Sequence, residues 1–295
     1  MADEQIVIVG GGPAGIAAAL ELQRQGYDPV IYEKERLGGL LVNANRVDNY
    51  PGFPQGIDGL ALAENFRQQL EQRNIRVVHS KVKRLDHASG TFGVETPDGT
   101  ISASYVVVAS GTEPDTIENI VSSESGNERV HHEVYPIRDV EGKKVVIIGA
   151  GDAAFDYALT LSQKNDVIIL NRKNEVRCAP HLWEKASASE SISYYENVNV
   201  VPPCEEKGAK VIVKCKGPCD DFSFTADYIL IAIGRRAQLD FLTERTAKDI
   251  GTLEDSGRLF LVGDVKNGDF RQTGIAVGEG IMAAMNIARR LRETK

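Results

Sequence analysis

Residues 5–34, QIVIVGGGPAGIAAALELQRQGYDPVIYEK, constrain the fold more than any other stretch of the chain. An apolar run, Ile6 to Val9, enters a glycine-rich turn that opens an alanine- and leucine-rich helical pattern. A second apolar run, Pro29 to Tyr32, ends at the acid Glu33. Gly10, Gly12 and Gly15 stand in the G-x-G-x-x-G spacing of a βαβ dinucleotide-binding unit, with Pro13 and Ala14 between them. The first glycine makes the tight turn, the second lets backbone approach a pyrophosphate, and the third lets helix and strand pack closely. The positive end of the helix then faces the phosphates. Glu33 lies close to the spacing of about 20 residues at which a carboxylate grips ribose hydroxyls. Strand, turn, helix, strand and acid together weigh against glycines that only make a turn.

The pattern returns later in the chain. Lys143 to Ile148 reads as a strand, Gly149, Gly151 and Ala154 stand in G-x-G-x-x-A around Asp152 and Ala153, a helix runs to about Ser162, and Asp166 to Leu170 is the next strand. No acid stands where Glu33 does in the first unit. The strand ends instead in Asn171-Arg172-Lys173, with Arg177 close behind. A carboxylate there would repel a 2′-phosphate, whereas guanidinium and ammonium groups attract one, so NADPH is expected at this site. A merely solvated basic loop is the alternative. A second echo supports the duplication: YVVVASGTEPD from Tyr105 and YILIAIGRRAQ from Tyr228 each join a tyrosine, a buried strand, a glycine and a polar exit.

Between these landmarks the chain alternates loops and short elements. Residues 34–57 are dense in Gly, Pro and Asn and read as a ligand-contacting loop. Asp58 is expected to cap a helix to about Asn74 with Leu62, Phe66 and Leu70 on one face. The stretches IRVVHSKVKRLD, TFGVETPDGT and ISAS suggest a small antiparallel layer before Tyr105–Ala109. Thr112 to Arg138 is a polar crossing. Near the end, Arg258–Val262 is a strand reaching Gly263-Asp264, and a helix from about Gly274 carries Ile281, Met285 and Ala288 on one face. A lone strand and helix cannot form a domain, so they return to the first one. The fold class expected is α/β, with two Rossmann-like three-layer domains. The first, over 1–114 and 242–295, is discontinuous, and the second, over 115–241, is inserted in it.

Two dinucleotide sites with one nicotinamide partner make FAD the other cofactor, because Glu33 excludes a 2′-phosphate and a flavin takes a hydride yet releases electrons singly. Asp264, at a strand end before a helix, is a candidate for the ribitol hydroxyls, although an Asp after Gly equally caps a turn. The net charge of −8 argues against nucleic acid, and no apolar run approaches the length of a membrane span. The acidic N-terminus is unlike a signal peptide, so a cytoplasmic protein is expected. Four cysteines do not make a disulfide scaffold, and no metal site is expected.

These features resemble the low-molecular-weight thioredoxin reductase group of flavoproteins over essentially the whole chain. GGGPAG (10–15), Gly38-Gly39, NYPGFPQG (49–56), ASGT (109–112), GAGDAA (149–154), Asn171-Arg172-Lys173, Gly263-Asp264 and Arg271-Gln272-Thr273 carry the resemblance. It implies FAD at Gly10–Gly15, Glu33, Lys34, Gly39, Leu40, Asn49, Val82, Ala109, Ser110, Gly111, Asp264, Arg271, Gln272 and Thr273. For NADPH it implies Gly149–Ala154, Asn171–Lys173, Arg177 and Gly234. It also implies a homodimer whose domains rotate during turnover.

The departure from that family lies at its dithiol. Counting back from Gly142-Lys143-Lys144, the Cys-x-x-Cys positions hold His132 and Tyr135, which cannot exchange disulfides. An imidazole or phenol there either relays a proton or fills the space of the missing pair. The first expectation is therefore an NADPH-dependent FAD oxidoreductase that passes electrons to an external carrier of ferredoxin or flavodoxin type, as in the thioredoxin reductase-like ferredoxin–NADP reductases. Against that closer match, the chain ends at Lys295 without a flavin-covering tail. Two alternatives stay open. One is a disulfide reductase working by an atypical route such as Cys215/Cys219 across a hairpin tip, the other a non-catalytic NADPH sensor.

Overall fold

The computed structural model describes residues 5–121 and 128–293. The acidic Met1–Glu4, part of the polar crossing at 122–127 and the last two residues lie outside the described residues. The chain forms two units. One comprises the stretch up to Val42, Val47–Glu113 and the stretch from Arg236; the other comprises Asn43–Arg46 and Pro114–Arg235.

The first unit opens with β1 (Ile6–Val9), α1 (Pro13–Arg24) and β2 (Val30–Glu33). In α2 (Gly59–Gln72), the Asp58 carboxylate caps the helix by accepting from the N–H groups of Leu60 and Ala61, while Leu62, Phe66 and Leu70 are buried. β3 (Arg76–His79) precedes an antiparallel sheet of β4 (Arg84–Ala88), β5 (Thr91–Thr96) and β6 (Gly99–Ala103), and β7 (Tyr105–Val108) follows. The chain leaves on β8 (Thr112–Pro114). The second unit contains β9 (Val130–His131), β10 (Lys144–Ile148), α3 (Asp152–Leu161), β11 (Asp166–Leu170), α4 (Pro180–Ser187) and β12 (Ile192–Tyr195). An antiparallel sheet of β13 (Asn199–Val200), β14 (Glu205–Lys207), β15 (Lys210–Lys216) and β16 (Asp221–Ala226) precedes β17 (Tyr228–Ile231). The chain returns on β18 (Arg235–Ala237), and α5 (Glu244–Lys248), α6 (Ile250–Asp255), β19 (Leu259–Leu261) and α7 (Thr273–Glu293) complete the first unit.

Each unit is built on a five-stranded parallel sheet with the strand of its glycine motif at the centre. The orders are β19-β7-β1-β2-β3 and, read in the same sense, β9-β17-β10-β11-β12. Strand order reverses at β1 and at β10, and such a reversal leaves a crevice at the carboxyl ends of the strands where nucleotides bind. The two YxxxA(S/I)G echoes become β7 and β17, the neighbours of those central strands. Helices cover one face of each sheet, and the antiparallel layer covers the other. In β10, Val145 and Ile147 pack toward Ala154, Phe155, Ala158 and Leu161 of α3. Val146 and Ile148 pack toward Val211, Val213 and Ala226. A strand buried on both faces has no polar face, which is why these segments read as continuous apolar runs.

Three expectations are corrected. β3 pairs in parallel with β2 instead of joining the antiparallel layer. The helix that α7 packs against is α1, and the buried stripe of α7 is Ala276, Gly280, Ala283, Ala284, Ile287, Ala288 and Leu291. Ile281 and Met285, expected beside Ala288, are exposed. The return crossing lies at Arg235/Arg236 instead of 241/242, because Gln238 is already tied to the first unit through the Gly111 carbonyl and the Ser110 hydroxyl.

A Cβ on Gly280 would stand 2.1 Å from the Ala14 carbonyl oxygen, so only glycine permits this helix crossing. In an open helix Gly→Ala stabilises by about 1 kcal/mol. Gly280→Ala is expected to destabilise by about 1–3 kcal/mol instead, as overpacking against backbone does. Urea unfolding of the two proteins reads the sign.

Candidate functional site

The first cradle lies where β1, β2 and β7 end. Gly10 sits at φ +106°, and a Cβ on it would stand 2.3 Å from the Ala109 carbonyl oxygen. One on Gly15 would stand 2.0 Å from the Gly10 carbonyl oxygen. Gly12 is different: nothing lies within 4 Å of its Cβ position, and no side chain caps α1. By contrast α2 and α5 are capped by Asp58 and Thr243. The open space at Gly12 and the uncapped end of α1 together leave room for a phosphate, and the N–H groups there supply what a pyrophosphate needs.

Glu33 is only 7% exposed. Its Oε2 accepts from the Gly11 N–H at 2.6 Å and its Oε1 from the Glu35 N–H at 2.8 Å. The carboxylate thus fixes the glycine turn while each oxygen retains further lone pairs for a ribose hydroxyl. Gly38 donates to the Gly11 carbonyl, and a Cβ on Gly39 would lie 3.3 Å from Gly12 Cα, so this pair borders the same turn, with Leu40 following it. Lys34 donates to the Gln238 side-chain amide. Asn49 Nδ2 donates to Gln272 Oε1 at 2.7 Å, joining the NYPGFPQG loop to Arg271–Thr273 at the start of α7. Val82 is buried in the core cluster that also holds Val9, Tyr32 and Val108 from the ends of β1, β2 and β7.

Asp264 lies in a short 3-10 turn, Gly263–Val265. Sequence reasoning missed the residue that holds this turn. Glu279 Oε2 accepts from the Gly263 N–H at 2.6 Å and from Asn267 Nδ2 at 2.8 Å, and Asn267 also donates to the Gly263 carbonyl. Only the Gly-Glu-Gly step inside α7 hinted at it.

The second cradle repeats the first. A Cβ on Gly149, at φ +128°, would stand 2.1 Å from the Ala232 carbonyl oxygen, and α3 begins at Gly151 with no side-chain cap. Asp152, instead of capping α3, accepts from the Ala179 N–H at 2.7 Å. Ala153 is exposed in the first turn and Ala154 is fully buried. The basic loop is ordered from both ends. Asn171, buried, accepts from the Lys173 N–H and donates to the Glu175 carbonyl and to Tyr194 Oη. Arg177 N–H donates to the Ala150 carbonyl. Arg172, Lys173 and Arg177 therefore reach solvent from a fixed backbone, beside an uncapped helix that begins on a glycine. Gly234, at φ +148°, accepts from the Asp115 N–H at 3.0 Å, and a Cβ on it would meet the Asp115 carboxylate.

His132 and Tyr135 stand beyond β9. His132 lines a cavity of about 430 Å³ together with Ile117, Asn119, Val121, Val130 and Ile231. Tyr135 N–H donates to Asn43 Oδ1, whose Nδ2 donates to Glu133, and Glu133 pairs with Arg235. The Nε2 of His131 and the Nδ1 of His132 are buried without a partner among the described residues. Both imidazoles are held below the usual range, first by burial, then by His132 for His131 and by Arg235 for His132, with Glu133 opposing. The cysteines all lie in this unit. Cys215 is buried beside Cys204, and burial pushes its thiol up to about 11, while Cys219 is exposed at the hairpin tip. The two thiols do not face each other as the hairpin suggested: one belongs to the core and the other to solvent. Burial raises Cys178 and Cys204 as well.

Two glycine turns at sheet switch points, one beside a buried acid and the other beside a basic loop, define a two-dinucleotide oxidoreductase fold. Residues 4–280 match the family model of pyridine nucleotide-disulphide oxidoreductases. The chain is 27% identical over 317 residues to thioredoxin reductase 2 of Arabidopsis thaliana, which covers 98% of this chain and 82% of that one. The crystal structure of the Lactococcus lactis thioredoxin reductase superposes with a TM-score of 0.82 at 25% identity, covering 97% of this chain and 98% of that one. The T. acidophilum thioredoxin reductase gives 0.81 at 28%, with the same coverage. The chain belongs to the pyridine nucleotide-disulphide oxidoreductase family. It is thioredoxin reductase-like, an FAD-dependent NAD(P)H oxidoreductase whose cofactors are FAD and NADPH.

Glu279→Ala leaves the Gly263 N–H without its acceptor, and an unsatisfied buried donor costs about 1–3 kcal/mol. The expected result is a destabilised FAD-free protein and weaker FAD retention on dilution, read by denaturant unfolding and flavin fluorescence. The histidines set a pH dependence. Because folding lowers their pKa, the unfolded state binds more protons, and stability is lost as pH falls below about 6.5. Unfolding midpoints from pH 8 to 5 are expected to drop less for the His131→Gln/His132→Gln variant than for the parent protein.

Proposed function

We propose that the enzyme passes electrons from NADPH through FAD directly to an external acceptor, a ferredoxin- or flavodoxin-type carrier, with no internal dithiol between. The observation that carries this reading is the fate of the cysteines. None lies in the first unit, the dithiol positions hold His132 and Tyr135, and Cys204 and Cys215 are core residues whose thiols burial keeps protonated. FAD, when bound, accepts a hydride from NADPH and releases electrons singly or in pairs, which suits a one-electron carrier.

The residues divide the work accordingly. The Gly10–Gly15 turn and the open end of α1 bind the FAD pyrophosphate, and Glu33 takes the ribose. Asp264, held through the Glu279 clasp on Gly263, takes the ribitol chain. The Gly149–Ala154 turn binds the NADPH pyrophosphate, and Arg172, Lys173 and Arg177 hold its 2′-phosphate, with Asn171 positioning the loop. We assign proton exchange to His132, kept neutral by its surroundings, and to Tyr135. The reading includes a homodimer in the cytoplasm: α7 turns Ile275, Ile281, Met282 and Met285 outward, an apolar strip suited to a second copy.

The similarity to thioredoxin reductases favours a second reading, reduction of a disulfide substrate. Cys215 and Cys219 are poorly placed for it, one buried and the other exposed. Anaerobic NADPH is expected to bleach the flavin band of the FAD-loaded enzyme in stopped flow. In a panel of ferredoxin, flavodoxin, thioredoxin, quinone and oxygen, a ferredoxin or flavodoxin is expected to reoxidise it fastest. Cys215→Ala/Cys219→Ser is expected to keep that rate within about twofold; preferential reoxidation by thioredoxin, lost in this variant, would establish the second reading.

A further inference from the structure

The loop that displays the basic side chains of the second cradle also carries an acid. Glu175 Oε2 lies 3.1 Å from Arg177 Nε and 3.1 Å from its Nη2. The carboxylate therefore occupies the two-pronged edge of the guanidinium, the edge that grips phosphate. Neither residue is free to move away as a whole. The Glu175 carbonyl accepts from Asn171 Nδ2, and the Arg177 N–H donates to the Ala150 carbonyl while its backbone bridges to Gly151. The pair is thus fixed beside the turn that opens α3, with side chains 63% and 64% exposed and open to a ligand.

We propose that Glu175 is a specificity-determining residue, an internal stand-in for the 2′-phosphate that holds Arg177 in the coenzyme-free enzyme and weakens the grip on NADPH. The inference rests on the assignment of Arg172, Lys173 and Arg177 to the 2′-phosphate and deepens it. A phosphate that uses the Nε/Nη2 edge displaces the carboxylate and then lies beside a like charge. Exposed ion pairs are weak and repulsion across water is modest, so the cost is several-fold in affinity and not orders of magnitude. The cost falls on phosphorylated coenzyme alone, since a ribose 2′-hydroxyl neither needs the guanidinium edge nor repels the acid. Glu175 therefore narrows the preference for NADPH over NADH that three basic side chains establish.

The test is equilibrium titration of the FAD-loaded full-length enzyme with adenosine 2′,5′-bisphosphate and with 5′-AMP, whose affinity ratio reads the 2′-phosphate without turnover. Glu175→Gln is expected to raise that ratio by about three- to fivefold, and Glu175→Asp, which keeps the charge, to leave it near the parent value. The gain is expected to shrink in 0.5 M salt and to be smaller in an Arg177→Ala background, where there is no edge to release. A ratio within twofold of the parent for Glu175→Gln, with Arg177→Ala still lowering it, overturns the role of Glu175 and leaves the basic loop standing. Ratios unchanged in both Arg172→Ala and Arg177→Ala overturn the loop assignment, and this inference with it.

Discussion

A glycine pressed against a carbonyl holds each half of this protein in working order. Gly10 and Gly149 follow the central strands of their sheets at positive φ, and a Cβ on either would collide with the backbone carbonyl oxygen of Ala109 or Ala232. The hydrogen bonds around them are duplicated too. Gly10 N–H donates to the last carbonyl but one of β2, and Gly149 N–H to the last of β11; Ala109 and Ala232 donate back to Val9 and Ile148. The turn is therefore fixed by its neighbours on both sides. Because it is fixed, the helix that follows starts at one place and points its uncapped end in one direction.

Once the turn is set, selectivity follows from the charge placed at the end of the next strand. In the first unit that charge is buried and satisfied, for Glu33 has two backbone amides as partners and its position is determined by them. In the second unit the charges are exposed, and only their backbone is fixed, by Asn171 at one end and Arg177 at the other. A ribose hydroxyl is a neutral, short-range partner that needs a rigid acceptor. A phosphate is an ion that long side chains can reach from a rigid base. On the proposed assignment, the two designs answer different ligands from one fold.

Much of this was legible because the signals are local. Glycine spacing, apolar runs and the acid or base at a strand end lie within about thirty residues of one another, and both cradles could be written down from them. What was misplaced depended on distant partners. β3 has the same half-buried pattern whether it joins a parallel or an antiparallel sheet, and only pairing with Val30–Glu33 decides. The buried stripe of α7 is mostly alanine and glycine, residues with little hydrophobic contrast, so Ile281 and Met285 drew attention to the wrong face. Glu279, Asn43 and Glu133 act through hydrogen bonds to residues far away in sequence or on another element, which no periodicity announces.

The His132/Tyr135 substitution acquires its meaning from the rest of the second unit. Were the dithiol simply relocated, one of the four cysteines should be a low-pKa, accessible thiol with a resolving partner. The structure offers the reverse: two thiols sealed in a core, a third raised by burial and by the Asp152 charge, and a fourth exposed at a hairpin tip. At the positions counted as the dithiol of the resembled family stand His132 and Tyr135, and the backbone of Tyr135 joins a polar cluster of Asn43, Glu133 and Arg235. Neither an imidazole nor a phenol exchanges disulfides, so on the proposed reading electrons that reach the flavin meet no internal dithiol and pass to whichever acceptor arrives.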